Sequence, residues 1–335
     1  MKNRLLMTGL VAACLFTSAA QAFSRPELHD FIDEMVKEHG FKKQELTALF
    51  DQVTLRPKII EAMKRPAEGK PWYEYRPIFL TPESIEGGLD FWSEHADVLA
   101  RAERIYGVPP EIIVAIIGVE TRYGQNTGSY HVLDALSTLA FDYPPRGDFF
   151  RSELKHYLLL AREEHLDPLA LKGSYAGAMG YPQFIPSSYR NFAVDFDDDG
   201  QRDLLNNIND VIGSVAHYFS KHGWQRGAAV ALPATVSGDK YTALLGGLKP
   251  ELSLGNLKQQ GVSFDASNLR GDQRGALLEF ETETGMEYWV GLQNFYTITR
   301  YNHSQLYAMA VYQLSNEIHA RHDAAHKVTR DKKKL

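Results

Sequence analysis

Apolar positions along the chain fall first at helical spacing. Leu28, Phe31, Ile32, Met35 and Val36 share one face, Leu46, Leu49, Phe50 and Val53 another, so helices are expected from Arg25 to about Ala100. Phe91, Val98, Leu99, Ala102 and Tyr106 continue the pattern. Pro109-Pro110 then opens a helix predicted over Glu111 to Gly124, because proline is tolerated at a first helical turn. Its run Ile112-Ile113-Val114-Ala115-Ile116-Ile117 is apolar on every side, which marks a helix surrounded by protein. A helical block over Leu154 to His165 precedes Gly173 to Pro186, which is rich in Gly, Ala and aromatics and reads as a shaped loop. Between about Ala231 and Gln293 the pattern changes. Ala276-Leu-Leu-Glu-Phe-Glu-Thr and Met286-Glu-Tyr-Trp-Val-Gly flank Glu283-Thr284-Gly285, a hairpin signal. Ser304 to Ala320 returns to helix, and the lysine-rich end is expected to fray. The chain shows no internal repeat.

The first residues carry a different pattern. Lys2 and Arg4, an apolar stretch from Leu5 to Phe16 and the ending Ala20-Gln21-Ala22 describe a secretory leader, cut after Ala22. The mature chain then has no cysteine, since the single one, Cys14, lies inside the leader, and stability has to come from packing rather than disulfides. Val11-Ala12-Ala13-Cys14 also resembles a lipoprotein box, so a lipid anchor at Cys14 stands as the rival to soluble export. With 335 residues there is material for about two domains of ordinary globular composition. The net charge of −6 lacks the basic excess that a phosphate backbone requires, which argues against nucleic acid as a partner.

Two groups of residues carry candidate chemistry. Glu120 ends the apolar helix, and a carboxylate there is paired with a base such as Arg122, solvated at a cleft, or held partly protonated. An apolar wall raises a carboxyl pKa, which suits a general acid for a glycosidic oxygen. The second group, Asp195-Phe-Asp197-Asp-Asp199-Gly200-Gln201-Arg-Asp203, follows the opening of an EF-hand calcium loop: oxygens at alternate positions, glycine sixth, a backbone carbonyl at Gln201. Its twelfth position is Asn206 rather than Glu. Other patterns fall away. Gly173-Ser174-Tyr-Ala-Gly177 does not spell a serine-hydrolase elbow, none of the twelve histidines forms His-Glu-x-x-His, and Asn302-His-Ser304 is read as substrate-binding sequence rather than a glycosylation acceptor.

Three stretches together carry a resemblance: Gly107-Val-Pro-Pro-Glu-Ile-Ile-Val-Ala-Ile-Ile-Gly-Val-Glu-Thr-Arg-Tyr-Gly124, Leu171-Lys-Gly-Ser-Tyr-Ala-Gly-Ala-Met-Gly-Tyr-Pro-Gln-Phe-Ile-Pro-Ser-Ser-Tyr189 and Asn294-Phe-Tyr-Thr-Ile-Thr-Arg-Tyr-Asn-His-Ser304. In this order they resemble the lytic murein transglycosylase B family, from about Phe31 to the last helix. The resemblance implies a mainly α (α+β) fold: a lysozyme-like core with an EF-hand-like loop, an N-terminal helical domain and a small inserted α+β subdomain. The corresponding boundaries are 1–22 leader, 23–100 helical domain, 101–230 with 294–322 core, 231–293 inserted subdomain and 323–335 charged tail.

The implied activity is cleavage of the MurNAc-GlcNAc β-1,4 bond of peptidoglycan without net addition of water. Glu120 matches the catalytic acid and base, which closes a 1,6-anhydro ring while the 2-acetamido group stabilises developing charge, so no second carboxylate is needed. Ser174 and Gln183 match positions that hydrogen-bond the sugar, Tyr301 and Asn302 the later strip of the groove, and Tyr75, Tyr218 and Tyr307 cleft aromatics. For each tyrosine, plain core packing stands as the alternative. Arg146 matches a groove position suited to a peptide-stem carboxylate, although Pro145 and Phe149 depart from the commoner Arg and Tyr beside it. The implied calcium loop is longer than an EF-hand and closed by a later aspartate, for which Asp210 fits, with Asp195, Asp197, Asp199 and Gln201 as the other ligands of a structural Ca2+. A periplasmic monomer acting on glycan strands, with cell-wall synthesis or remodelling proteins as partners, completes the expectation. Two competitors stay open: a hydrolytic muramidase using a second carboxylate such as Asp142, and a non-catalytic glycan- or calcium-binding scaffold.

Overall fold

The structure, a computed structural model, describes residues 26–64, 69–267, 269 and 273–332. The leader with Cys14 and the end of the charged tail lie outside the described residues. Helices come first: α1 (Pro26–His39), α2 (Lys43–Phe50), α3 (Pro57–Met63), α4 (Trp72–Tyr75), α5 (Pro82–Glu94), α6 (Ala96–Tyr106) and α7 (Pro110–Thr121). Strand β1 (Tyr130–His131) leads into α8 (Val132–Asp142) and α9 (Gly147–Glu163), and β2 (Lys172–Gly173), α10 (Pro186–Phe192) and α11 (Ile208–Lys221) follow. The inserted part holds β3 (Ala231–Val236), β4 (Leu252–Ser253), α12 (Leu254–Gln259), β5 (Val262–Ser263), β6 (Arg274–Thr282) and β7 (Gly285–Gly291). Helices α13 (Gln293–Tyr301) and α14 (Gln305–Lys332) close the chain. The mainly α class with a small sheet in the insert, beside the short β1–β2 pair, is therefore what the sequence led us to expect.

Helix α7 is the axis of the fold. Its residues Ile112 to Gly118 are all buried, and α5, α6, α11 and α14 pack around it. An all-apolar helix gains free energy only if every side is covered, and these four helices cover it. It stops at Thr121, short of the predicted Gly124, because Arg122, Tyr123 and Gly124 take left-handed conformations with φ of 50°, 60° and 90°. Two of these three carry side chains, for which that conformation is costly, and the ring of Tyr123 holds the turn in place. Its hydroxyl donates to the Ser84 carbonyl at 2.6 Å, which ties the end of α7 to α5. Glycine makes the slot for the ring: a Cβ on Gly118 would lie 2.5 Å from the Tyr123 hydroxyl.

The N-terminal span read as one unit contributes to two cores. Phe31, Ile32, Met35, Leu46, Phe50 and Ile59 of α1 to α3 pack with Leu133, Leu136, Leu139, Leu154 and Tyr157 of the α8–α9 pair. Buried Asp134 anchors that contact by accepting from the Thr54 N–H and the Arg56 guanidinium, both at 2.9 Å. Residues of α4 to α6 instead join the core around α7.

In the inserted part the strands form an antiparallel sheet in the order β4-β6-β7-β3-β5. The predicted hairpin pairs Thr282 with Gly285 across a two-residue Glu283-Thr284 turn. Side chains alternate along β6. Ala276, Leu278 and Phe280 enter the α7 core, while Leu277 joins Leu254, Leu257, Val262, Val290 and Leu292 in a smaller core of the insert. At the other end α14 runs on to Lys332, past the predicted Ala320, with His319 and Asp323 one turn apart at 3.4 Å. Among the described residues no helix is long and apolar enough to cross a membrane.

Because the Tyr123 slot has no spare room, Gly118→Ala is expected to destabilise the fold by about 1–3 kcal/mol, the usual cost of overpacking. Urea unfolding of the two proteins measures this, and equal midpoints would refute the slot.

Candidate active site

Glu120 sits on the last turn of α7, half-buried, two residues before the left-handed segment that breaks the helix. Its Oε1 accepts a hydrogen bond from the Tyr307 hydroxyl at 2.5 Å, across the contact between α7 and α14. Burial, followed by the negative charge of Glu120, holds the phenols of Tyr307 and Tyr301 well above the ordinary tyrosine value. Both therefore stay neutral and serve as donors. Tyr301 donates to the Pro182 carbonyl at 2.6 Å, and its ring stacks on Tyr307 with centroids 6.4 Å apart. Tyr218, whose phenol burial pushes up to about 12, donates to the Arg300 carbonyl at 2.6 Å and meets the Tyr301 ring at 4.9 Å.

These contacts change the picture of the aromatics. Tyr75, Tyr218 and Tyr307 are 1%, 7% and 3% exposed. Rings so enclosed are wall, not open platforms for a sugar, and they act by what their hydroxyls and faces hold in place. Tyr301 and Asn302, at the end of α13, remain partly exposed.

The Gly-rich stretch folds over this wall as a compact loop. Bridges pair Gly173 with Met179 and Met179 with Phe184. The Ser174 hydroxyl oxygen accepts from the N–H groups of Ala178 and Ala176 at 3.0 and 3.3 Å, so the side chain shapes the loop it belongs to. The Gln183 side-chain N–H groups lie 3.0 and 3.1 Å from the Gly180 and Thr127 carbonyls, with Gln183 itself in a left-handed conformation. Arg146 is exposed, its guanidinium 4.3 Å from the centre of the Phe149 ring, a cation–π contact. Arg122, the suggested partner of Glu120, acts on Glu83: backbone and Thr81 donors hold that carboxyl below its ordinary value, with Arg122 adding to the effect.

The acidic loop is assembled at the start of α11. Carboxylate oxygens of Asp195, Asp197 and Asp210 lie within 4.8 Å of one another. Asp210 is fully buried and accepts from the N–H groups of Phe196 at 2.7 Å and Asp203 at 2.8 Å. Burial pushes its pKa up to about 6, the two N–H donors pull against this, and the charges of Asp197 and Asp195 push further up. Such a crowd of like charges fits a divalent cation bound by oxygen ligands. Asp199 stands outside this trio; its carboxylate accepts from the Gln201 N–H at 2.8 Å. Asn206 turns its amide to Asp203, whereas Asp210 meets the other two carboxylates, as the longer loop requires.

Sequence reasoning passed over Thr121 and Tyr181. Thr121 is 1% exposed, and its hydroxyl bonds Tyr181 and Gly124. A hydroxyl beside the glutamate, three residues before a glycine, was the available signal.

A helix-rich fold built on a buried apolar helix, ending in a half-buried glutamate held by a neutral phenol, defines a lysozyme-like class of protein. Comparison with known proteins narrows this class. The family model described as "Transglycosylase SLT domain" matches residues 24–316, and the chain belongs to that family, in its lytic murein transglycosylase B branch. It is 46% identical to membrane-bound lytic murein transglycosylase B of Escherichia coli K12 over 305 residues, covering 88% of this chain and 83% of that protein. The crystal structure of soluble lytic transglycosylase SltB1 from Pseudomonas aeruginosa aligns with a TM-score of 0.83 at 54% identity, covering 88% of this chain and 99% of that one. The E. coli lytic transglycosylase Slt35, solved in complex with calcium, aligns with a TM-score of 0.83 at 46% identity, covering 89% and 94%.

A carboxyl whose pKa is raised by folding favours the folded state while protonated, an advantage complete below its unfolded value near 3.8 and lost as pH rises through about 6. In chelator, the melting temperature of the wild type relative to Asp210→Asn is therefore expected to fall between pH 4 and pH 7. A pH-independent difference would refute the raised pKa of Asp210.

Proposed function

We propose that this protein is a lytic transglycosylase that cleaves the MurNAc-GlcNAc β-1,4 bond of peptidoglycan, with Glu120 as its single acid and base. The observation that carries the reading is the 2.5 Å hydrogen bond from Tyr307 to Glu120 at the end of the buried helix. A neutral phenol donates to the carboxylate without bringing a charge of its own, which supports a carboxyl that has to gain and lose a proton. The names of its relatives place the class of reaction and the murein substrate.

In this reading Glu120 gives its proton to the glycosidic oxygen as the bond to the MurNAc C1 breaks, and the 2-acetamido group supports the developing positive charge. The carboxylate then takes the proton of the same sugar's O6 hydroxyl, O6 closes on C1, and a 1,6-anhydro end forms with no water consumed. Ser174 and Gln183 on the loop, Tyr301 and Asn302 at the end of α13, and Arg146 at the rim line the glycan path, Arg146 toward a stem carboxylate. Tyr75, Tyr218 and Tyr307 form the wall beneath it. Asp195, Asp197 and Asp210, with Asp199 and the Gln201 carbonyl beside them, hold a structural Ca2+; the relative Slt35 was solved in complex with calcium, which supports this reading. The leader over 1–22 directs the protein to the periplasm, where it acts as a monomer on glycan strands alongside cell-wall synthesis or remodelling proteins.

Mass spectrometry of the soluble products from purified sacculi tests the reaction. Muropeptides one water lighter than reducing species are expected, with release falling by about 10³-fold or more in Glu120→Gln. Reducing ends would favour the muramidase, and turnover surviving in Glu120→Gln would remove Glu120 from the site. For the cation, Ca2+ is expected to raise the melting temperature of the wild type and to leave Asp210→Ala unchanged. An equal rise in both would exclude this loop as the site.

A further inference from the structure

The acidic loop and Glu120 belong to different elements, yet a continuous set of hydrogen bonds joins them. Asp210 Oδ2 accepts from the Asp203 N–H at 2.8 Å. The next residue, Leu204, accepts at its carbonyl from the Tyr181 N–H at 3.1 Å. Contact there is close, since a Cβ on the neighbouring Gly180 would lie 2.2 Å from the Leu204 carbonyl oxygen. The Tyr181 carbonyl in turn lies 3.0 Å from the Thr121 hydroxyl. That hydroxyl oxygen accepts from the Gly124 N–H at 3.0 Å, and the Thr121 carbonyl accepts from the Asn126 N–H at 2.9 Å. Thr121 thus closes the left-handed turn that ends α7, and the residue covalently before it is Glu120.

Resting on the reading of Glu120 given above, we propose that Thr121 is a positioning residue for Glu120, and that through its hydroxyl the state of the acidic loop fixes the end of the catalytic helix. The hydroxyl hydrogen is within reach of two carbonyls, those of Tyr181 and, at 3.2 Å, of Ile117 one turn back in α7. The Tyr181 contact links two segments that no helix joins. Removing the hydroxyl leaves the Gly124 N–H without this acceptor and frees a turn whose residues Arg122 and Tyr123 hold costly positive φ angles. Glu120 then loses its fixed distance to a bound glycan, while the loop that carries Ser174 and Gln183 keeps its anchor through the Tyr301–Pro182 bond. A cation drawing Asp195, Asp197 and Asp210 together holds Asp203 and Leu204, and with them Tyr181, in register.

Thr121→Val, nearly equal in shape, and Thr121→Ser, which keeps the hydroxyl, separate positioning from packing. Thr121→Val is expected to lower kcat by about tenfold or more with KM within about twofold, and Thr121→Ser to restore kcat to within about threefold. A kcat within twofold of wild type in Thr121→Val, or a loss shared equally by Thr121→Ser, overturns the positioning role. Peptide-level hydrogen exchange with CaCl2 or chelator tests the link without activity. Ca2+ is expected to slow exchange over 195–206 in all three proteins, and over 121–128 only in wild type and Thr121→Ser. Slowing over 121–128 that is equal in Thr121→Val, or absent in wild type, overturns the coupling, as does a 195–206 segment indifferent to Ca2+. Failure of the activity assigned to Glu120 shows separately, as unchanged turnover in Glu120→Gln.

Discussion

A helix that is apolar on all sides can end in a carboxylate only where the surrounding protein supplies partners, because a bare charge beside such a surface is costly. Here the partner comes from the far end of the sequence. Tyr307 on α14 donates to Glu120 on α7, and the packing of these two helices brings them within 2.5 Å. The rest of the architecture serves that meeting. Helices α5, α6 and α11 cover the remaining faces of α7, and the inner face of the sheet, through Ala276, Leu278 and Phe280, seals the same core. The insert is therefore more than an appendage, because one face of β6 is part of the core around α7.

The wall beside Glu120 is made from tyrosines kept neutral by burial. Tyr218, Tyr301 and Tyr307 each spend their hydroxyl on a fixed acceptor: the Arg300 carbonyl, the Pro182 carbonyl and the glutamate. A phenol in this position has two advantages over a cation. It does not lock the carboxylate in its charged form, and its ring adds apolar area to the packing. The Gly-rich loop is held to the same wall by the Tyr301–Pro182 bond, so movement of the loop and movement of the wall are linked.

Among the described residues five carry positive φ angles without being glycine: Arg122, Tyr123 and Gln183 in the segments that surround Glu120, Asp198 in the acidic loop, and His165 after α9. Such conformations persist only when neighbouring contacts outweigh their cost. Around Glu120 those contacts can be named: the Tyr123 hydroxyl on Ser84, the Thr121 hydroxyl on Tyr181, and the Gln183 amide on Gly180 and Thr127. The charge crowded at Asp195, Asp197 and Asp210 is a second store of unfavourable energy, one that a cation relieves.

Much of this was legible in the chain. The unbroken run from Ile112 to Ile117 required a buried helix, the alternation around Glu283-Thr284 required a hairpin, and the spacing of aspartates required an oxygen-rich turn, because each is a local pattern with a local cause. Glu120 was conspicuous too, since it follows directly on the apolar run, whereas Glu111 lies in the first turn of the same helix. What the sequence could not decide is which distant groups meet. Nothing local tells that Tyr307 reaches Glu120 while Tyr75 is sealed in the core, or that a carbonyl at residue 181 receives the hydroxyl at 121. Those outcomes depend on how helices far apart in the chain pack, and burial, hydrogen-bond partners and pKa follow from that packing rather than from residue type.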